Sequence, residues 1–220
     1  MIALLALAVA SGSVADAERA FAAQAAREGQ WTAFRATASA DAVMFVPGMV
    51  RAQDWLKSRA DPPVPYKWWP DRTLTACDAS AGFSTGGSID AAGTHGRFRT
   101  IWTRTPDGWR WVLDEGAPLT MRPAGARPLA AETASCTAAA QARAALPHLT
   151  APARYAQADA MLDGQAAAMF ALPAIVSGAS DDATLAWQVR GDAATGRRVL
   201  LVWAWTGTAH DLRAAQVTLP

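Results

Sequence analysis

Few residues in this 220-residue chain could move a proton or attack a bond. His95 sits in a glycine-rich stretch and has the intrinsic pKa of a general base. Asp41 precedes an apolar run and Asp114 closes a strand. Either carboxyl becomes a useful acid or base if apolar walls tune it. None of the three pairs with another in an evident acid–base couple. Gly82-Phe83-Ser84-Thr85-Gly86 has the spacing of a nucleophile elbow, and His148 and His210 would complete a triad on paper. That motif needs a helix after the serine. Gly86-Gly87-Ser88 follows instead, so hydrolase chemistry is not expected. No metal-ligand spacing, phosphate loop or dinucleotide fingerprint occurs, and no metal or cofactor is expected.

The elements that would position these groups follow from periodicity. Asp16 to Ala38 reads as helix interrupted at Gly29, with Ala17, Phe21 and Ala25 at helical spacing. Ala42 to Val46 is a short buried strand stopped by Pro47-Gly48. Gln53 to Arg59 is a short helix, ended by the prolines from Pro62. Strands follow at Lys67–Trp69, Leu74–Cys77 and Ala81–Thr85, then a glycine-rich loop to Gly96. Arg97–Arg104 and Trp109–Asp114 form a hairpin about Thr105-Pro106-Asp107-Gly108. Strict alternation puts Phe98, Thr100, Trp102, Trp109, Trp111 and Leu113 on one face. Arg99 and Asp114 then share the other, opposite one another. Beyond Leu119 the composition turns to Ala, Pro, Arg and Thr, with a short helix at Thr137–Leu146. Tyr155–Phe170 reads as helix and Pro173–Asp182 as loop. Strands are expected at Leu185–Val189, Val199–Trp205 and His210–Leu219.

This order resembles the NTF2-like superfamily, which includes SnoaL-like and ketosteroid-isomerase-like proteins. The residues that carry the likeness are Glu18 to Phe21, Ala33-Phe34, Asp41 to Pro47 and Trp68-Trp69-Pro70. They continue through Gly96 to Arg104 and Asp107 to Asp114, a pattern closest to the DUF4440-type branch. The likeness spans about residues 16–118. It implies an α+β, cone-shaped domain in which N-terminal helices pack on a curved antiparallel sheet around an apolar cavity. Phe34, Phe45, Trp68, Trp102 and Trp111 would line that cavity, with Arg104 at its mouth. It also implies homodimerisation through the outer sheet face. Fold alone does not choose between binding and catalysis in such a family.

The formal net charge of +1 gives no footprint for nucleic acid. Lys57 and Lys67 are the only lysines and asparagine is absent, a bias of GC-rich coding rather than of function. The apolar run from Ile2 to Ala10 is too short to span a membrane and has the length of a signal-peptide core. Small-residue cleavage sites follow at Ala8-Val9-Ala10 and Ala15-Asp16-Ala17. A periplasmic or secreted bacterial protein is expected, in which Cys77 and Cys136 can bond. The expected organisation is a signal peptide (1–17), the NTF2-like domain (18–120), a linker with a short helix (121–152) and a C-terminal extension of about three strands (153–220). The extension either caps the cone or stands as a separate module. The expected function is non-catalytic binding of a small apolar or aromatic ligand, or of a protein partner. The alternative is an isomerase, dehydratase or cyclase with an acid or histidine in the cavity.

Overall fold

Ser13 starts the fold. Its hydroxyl accepts from the Asp16 amide while the Asp16 carboxylate accepts from Ser13, a capping box that fixes the first turn of α1 (Val14–Glu28). Val14, Glu18, Phe21 and Ala25 recur at helical spacing and form its buried stripe. Gly29, at φ +109°, turns the chain into α2 (Gln30–Thr37). A Cβ there would stand 2.4 Å from the Asp61 carboxyl, which accepts from the Thr32 amide and hydroxyl in the first turn of α2.

The chain then lays down β1 (Ala38–Phe45), β2 (Met49–Arg51), α3 (Ala52–Leu56), β3 (Lys67–Thr75), β4 (Ala81–Ile89), β5 (His95–Thr105), β6 (Gly108–Pro118) and β7 (Ala130–Thr133). These strands form one 7-stranded sheet in the order β2-β1-β6-β5-β4-β3-β7. Two pairings, β1 with β6 and β3 with β7, are parallel; the rest are antiparallel. Strand β4 continues through Gly86 and Gly87 to Ile89, where a loop was expected. These glycines leave room for the neighbouring strand, since a Cβ on Gly87 would stand 2.6 Å from the Trp69 ring.

The computed structural model describes residues 12–119, 128–150, 155–157, 160–162, 170–192 and 196–218. Within the expected 137–146 helix lies α4 (Ala142–Ala145). Strands β8 (Tyr155–Gln157) and β9 (Ala160–Leu162) pair as a small hairpin where a helix was expected. β10 (Ala174–Ala179) forms from a stretch read as loop. It joins β11 (Leu185–Gly191), β12 (Arg198–Trp205) and β13 (His210–Thr218) in a 4-stranded antiparallel sheet.

Two buried clusters organise these layers. On one face of the large sheet, Phe21, Ala25, Ala33 and Phe34 of the helices meet Met44, Trp102 and Trp111. On the other, Leu74, Phe83, Ile101 and Leu113 pack against Leu185, Trp187, Val189, Leu200 and Val202 of the second sheet. The outer face, where a second copy was expected, is therefore occupied by the chain's own last strands. The described strands of the extension cover this outer face, and none of its described residues lines the cavity. Cys77, just after β3, is bonded to Cys136, just after β7. Next to it, the amides of Asp78 and Asp182 each donate to the other's carboxylate, at 3.0 and 2.9 Å, joining one turn of each sheet.

Residues 1–11, which hold the apolar core of the expected signal peptide, lie outside the described residues. Residues 12–17, assigned to the same leader, belong to the folded unit. Val14 and Ala15 are buried, and the Gly12 carbonyl accepts from Trp109 Nε1 at 2.8 Å. No described helix is long and apolar enough to cross a membrane.

Candidate functional site

A cavity of about 600 Å³ lies between the helices and the large sheet. Phe21, Trp31, Phe34, Met44, Trp68 and Phe98 belong to its apolar wall. The aromatic rings pack edge to face, with Phe21 4.7 Å from Phe34 and 5.0 Å from Trp68 between centroids. Ser88, Asp90, Thr94 and His95 add a polar stretch, and Asp114 is the carboxyl held against the sheet.

Asp114 reaches this position through a bulge. Trp102 pairs with Trp111, but Ile101 pairs with Leu113, so Val112 is an extra residue on β6. The extra residue reverses the alternation expected from the sequence. Leu113 turns to the outer core, and Asp114 turns to the helix side opposite Thr100. Arg99 faces Glu115, not Asp114. The pairing expected between Arg99 and Asp114 is thus replaced by a hydrogen bond of 2.9 Å from Thr100 Oγ1 to Asp114 Oδ2.

A second carboxyl lies behind the first. Glu18 is fully buried. It accepts from Trp68 Nε1 at 2.7 Å, Ser84 Oγ at 2.5 Å and Trp102 Nε1 at 3.0 Å. Burial pushes Glu18 up from the ordinary carboxylate range, and its hydrogen bonds from Ser84, Trp68 and Trp102 oppose that. Burial also pushes Asp114 up, to about 8, and the negative charge of Glu18 adds to the effect. An apolar cavity with a carboxyl that stays protonated at neutral pH can donate a hydrogen bond to an uncharged oxygen. It can also take and return a proton.

The other sequence candidates fall in different places. Phe34, Phe45 and Trp68 line the cavity, as does His95. Trp102 and Trp111 do not line it: they are fully buried, and Trp111 Nε1 donates to Thr37 Oγ1 at 3.0 Å. Arg104 sits beside the β5–β6 turn with its guanidinium over the Trp109 ring, away from the cavity lining. Asp41 is exposed and paired with Arg51 at 2.8 Å. Ser84 lies within β4 and donates to Glu18, so the elbow spacing has no catalytic geometry. His148 is exposed, and His210 Nε2 contacts the Ala183 carbonyl at 2.8 Å. Among the described residues, no group of three or more His, Cys, Asp or Glu is placed to hold a metal ion.

Glu18 is the residue that sequence reasoning missed. Its signal was present: an acid in the middle of the Val14, Phe21, Ala25 stripe, a position that helical amphipathicity reserves for apolar groups.

The outer face carries its own charges. Arg198 Nε donates to Glu115 Oε2 at 2.8 Å, and Arg99 lies 3.6 Å from Glu115 Oε1. All three are buried between the sheets. Burial pulls Arg99 down to about 10 against the opposing pull of Glu115.

No protein-family model matches this sequence, and no curated protein does. Solved structures do resemble it. Several are NTF2-like proteins. One of unknown function from Shewanella baltica is 13% identical, with a TM-score of 0.37, over 50% of this chain and 100% of its own. Another, from Pseudomonas putida, is 11% identical, with a TM-score of 0.35, over 50% and 96%. A protein of unknown function of the DUF3225 family from Pectobacterium atrosepticum is 14% identical, with a TM-score of 0.37, over 48% and 90%.

Proposed function

We propose that the cavity binds a small, uncharged, largely apolar molecule bearing a carbonyl or hydroxyl oxygen, and that Asp114 moves a proton on it. The observation that carries this reading is the half-buried Asp114 carboxyl in the cavity wall, pushed up to about 8. Near that pH both its forms coexist, as a group that takes and returns a proton requires. Ionised, Asp114 accepts a proton from a carbon next to a carbonyl. Protonated, it returns that proton to another carbon or to a departing oxygen. The step is an isomerisation or elimination and needs no oxidant. The described lining holds three acids, Asp90, Asp114 and Glu115, and no arginine or lysine, which disfavours an anionic ligand.

A panel of cyclic ketones incubated with the protein in D2O tests this. Wild type should speed deuterium uptake next to the carbonyl, and Asp114→Asn should lose at least about tenfold of that rate. A second reading is a carrier that returns its ligand unchanged. It is favoured by Glu18, whose donors close it off and leave one movable proton at the site. Equal exchange in both proteins, with 2-acetylnaphthalene still bound, would establish the carrier.

We further propose an exported protein, monomeric because its outer sheet face is already covered, with processing after Ala10. That site leaves Ser13, Val14 and the whole of α1 intact.

A further inference from the structure

The same site holds a carboxyl that touches no ligand space yet is built with care. Glu18 is absent from the cavity lining, fully buried, and bonded to two indoles and a hydroxyl drawn from three strands. A salt bridge would be the ordinary way to keep a buried acid; among the described residues none reaches Glu18. Indole N–H and hydroxyl donors favour its ionised form without neutralising its charge. The Thr100 hydroxyl lies between the two acids, bonded to Asp114 Oδ2 at 2.9 Å and interacting with Glu18.

We propose that Glu18 is a positioning residue for Asp114: the two carboxyls hold one proton between them, and the donors around Glu18 keep that proton on Asp114, facing the ligand. The charge of Glu18 opposes ionisation of Asp114 in this apolar wall, so one of the two acids stays neutral. Glu18 has three donors and Asp114 has the Thr100 hydroxyl, so the charge settles on Glu18. The remaining groups around Asp114 do not compete for this role. Met44 opposite it on β1 is uncharged. Glu115, its neighbour on β6, is paired with Arg198 and Arg99, and its charge raises Asp114 less than that of Glu18 does. Asp90 and His95 line the same cavity from the β4–β5 loop and the start of β5.

The inference rests on the reading that Asp114 is the ligand-facing donor. The test is the pH dependence of 2-acetylnaphthalene binding, a ketone with no ionisable group. Wild-type affinity should fall as pH rises through about 8, when Asp114 loses its proton. In Glu18→Gln the midpoint should drop by about one pH unit or more, because the neighbouring charge is gone. In Thr100→Val it should rise, because the hydrogen bond that favours ionised Asp114 is gone. Loosened packing would move both variants in one direction; opposite shifts identify the proton-sharing arrangement. A wild-type midpoint near 8 that neither variant moves would overturn the role of Glu18 alone. A wild-type affinity flat from pH 6 to 10 would overturn the reading of Asp114 itself.

Discussion

Thr100 and Asp114 face one another across β5 and β6, joined by a hydrogen bond of 2.9 Å, because Val112 is an extra residue in β6. With strict alternation Asp114 would point at the second sheet and meet Arg99. The bulge instead places an acid on the helix side, in an apolar wall. The chemistry of the site therefore depends on one irregularity in one strand.

The first prediction concerns pH. The folded protein holds the Asp114 proton up to about 8, whereas the unfolded chain releases it near 3.8. Between those values the native state binds more protons, so stability falls as pH rises and levels off above about 8. Thermal melts from pH 5 to 9 should show a steeper decline in wild type than in Asp114→Asn. Equal slopes would mean that Asp114 titrates normally.

The second concerns the outer ion cluster. Glu115→Gln leaves Arg99 and Arg198 buried without their shared carboxylate. The expected loss is about 3–5 kcal/mol, read by urea denaturation. A loss under about 1 kcal/mol would show that water reaches the cluster.

The third concerns α1. A Cβ on Gly82 would stand 2.2 Å from Val14 Cγ2. Gly82→Ala should cost about 1–3 kcal/mol. The double variant with Val14→Ala should be more stable than the sum of the single effects by about 1 kcal/mol. Additive losses would contradict the packing of Val14 on β4. The same packing predicts Ser11 as the mature N-terminus of exported protein, measurable by mass spectrometry. A mature chain starting at Glu18 would contradict it.

The fourth concerns the disulfide. The bond between Cys77 and Cys136 closes a sequence separation of 59. Its reduction should lower stability by up to about 4 kcal/mol in the chain-entropy model, seen as a lower urea midpoint. An unchanged midpoint would mean that the parallel pairing of β3 with β7 already holds these two strand ends together.

The sequence made much of the helix-facing half readable, and specific residues explain where it stopped. Helix α1 with its break at Gly29, and the hairpin at Asp107-Gly108, carry local signals in capping, spacing and turn residues. The facing of Asp114 does not, since a single extra residue shifts the parity of a strand and leaves no compositional mark. Glu18 breaks the pattern of its own helix. Its partners Trp68, Ser84 and Trp102 come from three strands, which only the tertiary fold assembles. Strand β10 was hidden because Gly178 and Ser177 read as loop; a Cβ on Gly178 would stand 2.3 Å from the Trp187 ring across the pairing. Arg198 directly precedes the expected Val199–Trp205 strand, and its burial against Glu115 follows only from the packing of one sheet on the other.

The carboxyl carbon of Asp114, followed by NMR from pH 4 to 10 and assigned against Asp114→Asn, tests the central claim most directly. The account predicts a transition near 8, with the acid protonated at pH 7. A transition near 4 would contradict it and remove the proton donor from the cavity.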